Sequence, residues 1–210
     1  MNVLALGAHF DDVELGCGGA IAKHVANGDN VYVYTATLSG YQDPSDKVVR
    51  EDSVAMSEAK VAMKVLGVSD LTCGFFRTFE LEFVEKLNAD IINIVEKRDI
   101  QLVYTHWLGD IHHDHIALAK ASLHSCRHVK KMLMYRSNWY QSTTEFRGNF
   151  YIDISDHWET KRQAILAYNS EVSRTKYAWI DFFENEARNA GQRVGVDKAE
   201  VFEMVKWLVD

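Results

Sequence analysis

Apolar positions change their period several times along this chain, and the changes divide it into strands and helices. Val3-Leu4-Ala5-Leu6 is a continuous apolar run of strand length, suited to a strand buried on both faces. Residues 18–26 read as a helix with glycines at its start, and Gly28 is placed to close it. Residues 31–35 are β-branched and aromatic, a second strand. A polar loop over 39–46 follows and holds the only proline, Pro44. Over 48–66 the apolar residues Val54, Met56, Ala59, Val61, Ala62, Val65 and Leu66 recur at helical spacing, which predicts an amphipathic helix stopped by Gly67.

The alternation continues. Residues 71–76 predict a third strand, 81–98 a helix with Phe83, Leu87, Ile91, Ile94 and Val95 on one face, and 102–105 a fourth strand. A polar loop over 106–113 leads to a helix over 114–126, then a fifth strand over 132–135 and a sixth over 150–152. The last third reads as largely helical. Asp156 and Glu159 have capping-box spacing ahead of a helix running to Tyr168, and residues 177–190 and 199–208 are two more amphipathic stretches. Strands alternating with helices predict βαβ units and an α/β fold with a mostly parallel sheet. No linker, repeat or low-complexity segment divides it, so residues 1–210 form a single domain.

Bulk properties narrow the function classes. Hydrophobic content of 47% and charged content of 25% are those of a globular chain. A formal charge of −7 and the lack of a Lys/Arg cluster argue against a nucleic-acid partner. No apolar run is long enough for a membrane span, and the N-terminus lacks the pattern of a secretory leader, so a cytoplasmic location is expected. Cys17, Cys73 and Cys126 are odd in number and far apart, which is no disulfide framework, and Cys17 has no CxxC partner.

Two polar clusters interrupt the apolar pattern. Ala8-His9-Phe10-Asp11-Asp12 ends the first strand, and Asp110-Ile111-His112-His113-Asp114-His115 follows the fourth at the start of a helix. A doubly wound sheet of order 3-2-1-4-5 makes strands one and four neighbours and opens a crevice beyond their carboxyl ends. Both clusters then face one crevice. Neutral imidazole and carboxylate are good ligands for a divalent metal, and no cysteine is well placed. A two-His-one-carboxylate set with an open position follows, and the remaining groups are free to move protons in a metal-assisted hydrolysis.

These residues resemble the PIG-L/LmbE-like zinc-dependent de-N-acetylases. The family's A-H-P-D-D-E motif is similar to residues 8–12 with Gly16, Gly18, Gly19 and Gly28, and its D-x-H-x-D-H motif to Asp110, His112, Asp114 and His115. Arg50, Leu66-Gly67, Ala199-Glu200 and Phe202 are further echoes. The resemblance implies a Rossmann-like fold and Zn2+ (or another divalent transition metal) on His9, Asp12 and His115. It implies attack of a zinc-bound water with Asp11 as general base, and His112 stabilising the oxyanion or acting as acid with Asp114 orienting its ring. The implied reaction removes an N-acetyl or similar acyl group from an amino sugar or sugar-containing conjugate. The implied assembly is a homo-oligomer with a small-molecule substrate and no nucleic-acid or membrane partner. Phe10 stands where the family has proline, and Val13-Glu14 displaces its final acidic residue, which leaves the pocket wall open.

Other residues have plainer readings. His113 points off the face shared by His112 and His115, and His106 is as well explained by loop polarity as by the pocket wall. His24, His124, His128 and His157 read as surface or satisfied core groups. Gly16 to Gly19 do not complete a dinucleotide fingerprint and are assigned to helix–strand packing. Arg50 suits a substrate anion or a solvated helix start equally. Trp139, Tyr140, Trp158, Tyr168 and Trp179 are read as packing rather than a sugar-stacking wall. A metal-dependent phosphoesterase on the same His/Asp site, or a non-catalytic nucleotide-binding module, remains the alternative.

Overall fold

A computed structural model describes residues 1–209. In chain order the elements are β1 (Asn2–Gly7), α1 (Asp12–Ala26), β2 (Asn30–Thr37), β3 (Tyr41–Gln42), β4 (Val48–Arg50), α2 (Asp52–Leu66), β5 (Asp70–Phe76) and α3 (Glu85–Lys97). They continue with β6 (Leu102–His106), α4 (His113–Ser125), β7 (Lys131–Tyr135), β8 (Phe150–Asp153), α5 (Trp158–Leu166), α6 (Asn169–Arg174), α7 (Ala178–Val194) and β9 (Ala199–Trp207). The seven-stranded sheet has the order β5-β2-β1-β6-β7-β9-β8, with β3 and β4 as a separate hairpin. Pairing is parallel from β5 through β7 and antiparallel at β9 and β8. The five parallel strands thus stand in the predicted order, with strands one and four adjacent.

β1 explains the two-layer core. Val3 and Ala5 face one side of the sheet, where Ile21 of α1, Met63 of α2 and Ala164 of α5 pack. Leu4 and Leu6 face the other, against Leu87 and Ile91 of α3 and Leu118 of α4. A strand buried on both faces cannot alternate apolar with polar, hence the continuous apolar run. α7 packs outside this core through Ile180, Phe183 and Ala187 on Leu15 and Trp158.

Three expectations are corrected. Residues 199–208 are not a helix: β9 lies between β7 and β8. Its register slips between Lys206 and Met204, leaving Val205 as an extra residue opposite β7. A bulge of this kind breaks the period of two and counterfeits helical spacing. The helix expected from residue 48 begins at Asp52, because Val48–Arg50 pairs with Tyr41–Gln42 instead. The Asp156/Glu159 capping box does not form. A 3-10 turn over Ser155–His157 precedes α5, and Glu159 Oε1 accepts from Gln163 Nε2 at 2.7 Å. No helix among the described residues is long and apolar enough to cross a membrane.

Candidate metal centre and catalytic cleft

The carboxyl ends of β1, β6 and β7 bring the two polar clusters to one cleft of about 340 Å³. Its lining includes His9, Asp11, Asp12, His112 and His115. His9 and Asp12 come from the turn after β1, His112 caps α4 and His115 lies in its first turn.

Three donors converge. His9 Nδ1 is 3.3 Å from His115 Nε2 and 3.3 Å from Asp12 Oδ2, and His115 Nε2 is 3.2 Å from Asp12 Oδ1. Ligands at zinc-bond length around a tetrahedral ion stand about 3.3 Å from one another. Each imidazole is also held from behind. His9 Nε2 meets Asp114 Oδ2 at 2.8 Å, and His115 Nδ1 meets Asp110 Oδ2 at 3.1 Å. A carboxylate on the far nitrogen is the usual support of a metal-bound histidine. The donor set fits a divalent cation.

The charge state says the same. Burial opposes charge on His9, yet hydrogen bonds to Asp114 and Asp12 outweigh it and raise the imidazole to about 9. Burial likewise opposes charge on His115, while Asp12 and Asp110 raise it to about 10. The carboxylates around the two rings thus favour positive charge at this point, which a bound cation would supply.

His106 is fully buried at the end of β6 and stacks on His115 with centroids 4.0 Å apart. Its Nε2 lies 3.1 Å from Asp12 Oδ2, so Asp12, His106 and His115 form one close group of possible donors, and His9, His112 and His115 form another. That Nε2 also accepts from the Ala8 amide at 3.0 Å, which occupies its lone pair and leaves the neutral ring no proton there to give Asp12, while its Nδ1 is buried without a hydrogen-bond partner.

Asp11 stands apart from the donors. Its φ of 112° is strained for a residue with a Cβ, and it serves as N-cap of α1. Oδ2 is 3.4 Å from Arg50 Nη1, and Arg50 Nη2 reaches Glu58 at 3.0 Å. Burial pushes the Asp11 carboxyl well above the carboxylate range, and Arg50 offsets only part of this. His112 Nδ1 accepts from the Asp114 amide at 3.2 Å, which places the proton of the neutral ring on Nε2. Burial, then His9 and His115, lower His112 to about 4. The expected pairing of Asp114 with the His112 ring is corrected: the carboxylate holds His9 and the amides of Phe79 and Leu81, because α4 turns only the Asp114 N–H toward His112.

A family profile for PIG-L, described as GlcNAc-PI de-N-acetylase, matches residues 4–126. The chain belongs to the PIG-L family. The uncharacterized deacetylase YaiS of Escherichia coli (strain K12) is 31% identical over 173 residues, 79% of this chain and 88% of that protein. Among solved structures, the N,N'-diacetylchitobiose deacetylase of Pyrococcus horikoshii, complexed with its inhibitor MPG, has a TM-score of 0.83. It is 22% identical and covers 97% of this chain and 83% of its own. GalB, the 4-carboxy-2-hydroxymuconate hydratase of Pseudomonas putida KT2440, has a TM-score of 0.79 at 16% identity, covering 100% of this chain and 98% of its own. At these identities the structural likeness speaks for fold alone.

The departures of this PIG-L chain from the family motif fall outside the cleft wall. Phe10 is buried in the core, and its amide donates to Ser39 Oγ at 2.7 Å, a bond proline could not make. Glu14 is buried under α5 and accepts from the Tyr168 hydroxyl at 2.6 Å. Gly16 and Gly19 serve packing: a Cβ would lie 2.0 Å from the Tyr135 ring and 2.8 Å from Ile154. Of the five aromatics read as packing, Trp158 and Tyr168 are buried, whereas Trp139, Tyr140 and Trp179 line the cleft. The sequence reading also missed Asn138, whose Nδ2 donates to Asp110 Oδ1 at 2.6 Å, and Ser137, whose Oγ donates to Asp12 Oδ1 at 2.8 Å. Neither carries a motif. Asp110 did, inside the second cluster.

Burial raises Glu14 to about 7 against the Tyr168 hydrogen bond. The folded state therefore holds a proton that the unfolded chain releases near 4.5. Stability from this group is fully present below 4.5 and is lost as pH rises through about 7. Glu14→Gln keeps an acceptor for Tyr168 and removes the titration. The difference in unfolding free energy between variant and parent should grow by on the order of 3 kcal/mol from pH 4.5 to 8. Denaturant titrations at both pH values measure it, and a constant difference would contradict the buried-proton account.

Proposed function

We propose that this chain is a metal-dependent amide hydrolase that removes an N-acetyl or similar acyl group from an amino sugar or sugar-containing conjugate. The observation that carries the reading is the convergence of His9, Asp12 and His115, two of them backed by carboxylates, beside a carboxylate that is no part of the set. The deacetylase relative supports the reaction, and the family's description as GlcNAc-PI de-N-acetylase supports the substrate class. His9, Asp12 and His115 would hold the cation, Zn2+ or another divalent transition metal. Bound there, it would supply a Lewis acid that activates water and polarises the acyl carbonyl.

The chain's own groups do the rest. Asp11, with Oδ2 on Arg50, takes the proton from the attacking water and later returns it to the leaving amine. His112 donates from Nε2 toward the oxygen on which negative charge develops. Asp114 and Asp110 fix the ring planes of His9 and His115, and Asn138 fixes Asp110. Tyr41, Trp139 and Trp179 line the cleft and would shield one side of the substrate from water.

The test is a screen of metal-loaded protein against N-acetyl sugars and sugar conjugates, with primary-amine release as the readout. Amine release with one metal per chain is expected. Hydrolysis of phosphate esters alone, with two metals per chain, would replace this reading with a phosphoesterase.

A further inference from the structure

Phe79 is a cleft residue for which the proposed reaction has no use. It lies in the loop between β5 and α3 with φ at 68°, where a Cβ is strained and glycine is the ordinary occupant. The backbone has a reason to be there: its amide donates to Asp114 Oδ2 at 2.7 Å, and that carboxylate holds His9. A glycine would make the same bond without the strain. The phenyl ring needs a separate explanation.

Its surroundings supply one. The ring stacks on His112 at 5.5 Å and 23°, with Tyr41 edge-on at 5.8 Å. Phe79 is nevertheless 54% exposed. It lines both the catalytic cleft and a second cavity of about 400 Å³ walled by polar groups such as Gln42, Asp52, Arg77 and Glu80. An apolar ring on the divide between two cavities, against the group assigned to the oxyanion, offers a surface to a partner with an apolar face. In a 2-acetamido pyranose the amide is attached directly to the ring. A carbonyl at His112 therefore brings the C–H face of that sugar beside the residue that His112 stacks on.

We propose that Phe79 is a specificity-determining residue, the platform on which the pyranose carrying the amide stacks, so that N-acetylated ring sugars are selected over acyclic N-acetyl amides. This rests on the deacetylase reading above. The experiment compares metal-loaded parent, Phe79→Gly and Phe79→Trp on N-acetylglucosamine, or the best pyranose from the screen, and on N-acetylethanolamine. Phe79→Gly removes ring and strain but keeps the amide bond to Asp114. It should retain metal and melt at or above the parent temperature. Its kcat/KM ratio of pyranose to acyclic substrate should fall about 3–10-fold, mostly through KM, the reach of one ring-stacking contact. Phe79→Trp should restore the ratio. Equal proportional losses on both substrates, or an unchanged ratio, overturn the proposal, and equal losses with a lowered Tm identify the ring as packing for His112. A parent inactive on every N-acetyl sugar removes the deacetylase reading itself, and the proposal with it.

Discussion

Asp11→Asn should lower turnover about 10²–10⁴-fold, the usual contribution of a positioned general base, while leaving bound metal and fold intact. The separation of effects follows from the geometry. Asp11 lies outside the triangle of His9 Nδ1, Asp12 and His115 Nε2, so no donor is lost. Asparagine tolerates the positive φ of 112° about as well as aspartate, so the turn keeps its shape. A neutral amide also costs less to bury than the carboxylate, and thermal stability should not fall. Metal content by atomic absorption and steady-state rates decide it. Full activity in Asp11→Asn would assign the proton transfer elsewhere.

The pH profile gives the same residue a second signature. The base acts ionised, so kcat/KM rises with pH as Asp11 loses its proton. Burial places that limb above the ordinary carboxylate range, and Arg50 draws it partly back. Arg50→Gln removes the offsetting charge, so the limb should move to higher pH. A limb that moves down, or stays in place, would show that Arg50 does not act on Asp11.

The sheet order was legible because β-branched runs and helical stripes have different periods, and the topology then joined two clusters nearly a hundred residues apart. The histidines were legible because titratable groups packed after buried strands are rare. What was hidden depended on tertiary distance. Ser137 and Asn138 are ordinary residues until β7 sets them beside Asp12 and Asp110. Phe79 carries no motif, and its φ and its amide bond to Asp114 are not written in composition. The bulge at Val205 turned a strand into apparent helix. The family resemblance implied Asp114 on the His112 ring, whereas helix geometry sends its carboxylate to His9.

The metal set has its own graded signature. His115→Ala should leave the protein without stoichiometric metal, since one donor goes and Asp110 Oδ2 loses its imidazole partner. Asp110→Asn and Asp114→Asn keep all three donors and should weaken the metal about 10–100-fold, the usual cost of losing the group behind a ligating histidine. The two should differ in one respect. Asp114 also accepts the amides of Phe79 and Leu81 while buried to 0% exposure, and asparagine can replace only one of its two acceptor oxygens. Asp114→Asn should therefore loosen residues 77–81 as well, seen as faster amide exchange at Phe79 and Leu81, whereas Asp110→Asn leaves those amides protected. Metal titration with a competing chelator, beside hydrogen exchange on the same samples, reads both. Equal affinity in parent and Asp114→Asn would mean that His9 is oriented by the fold alone, and the carboxylate behind it would then serve only the loop.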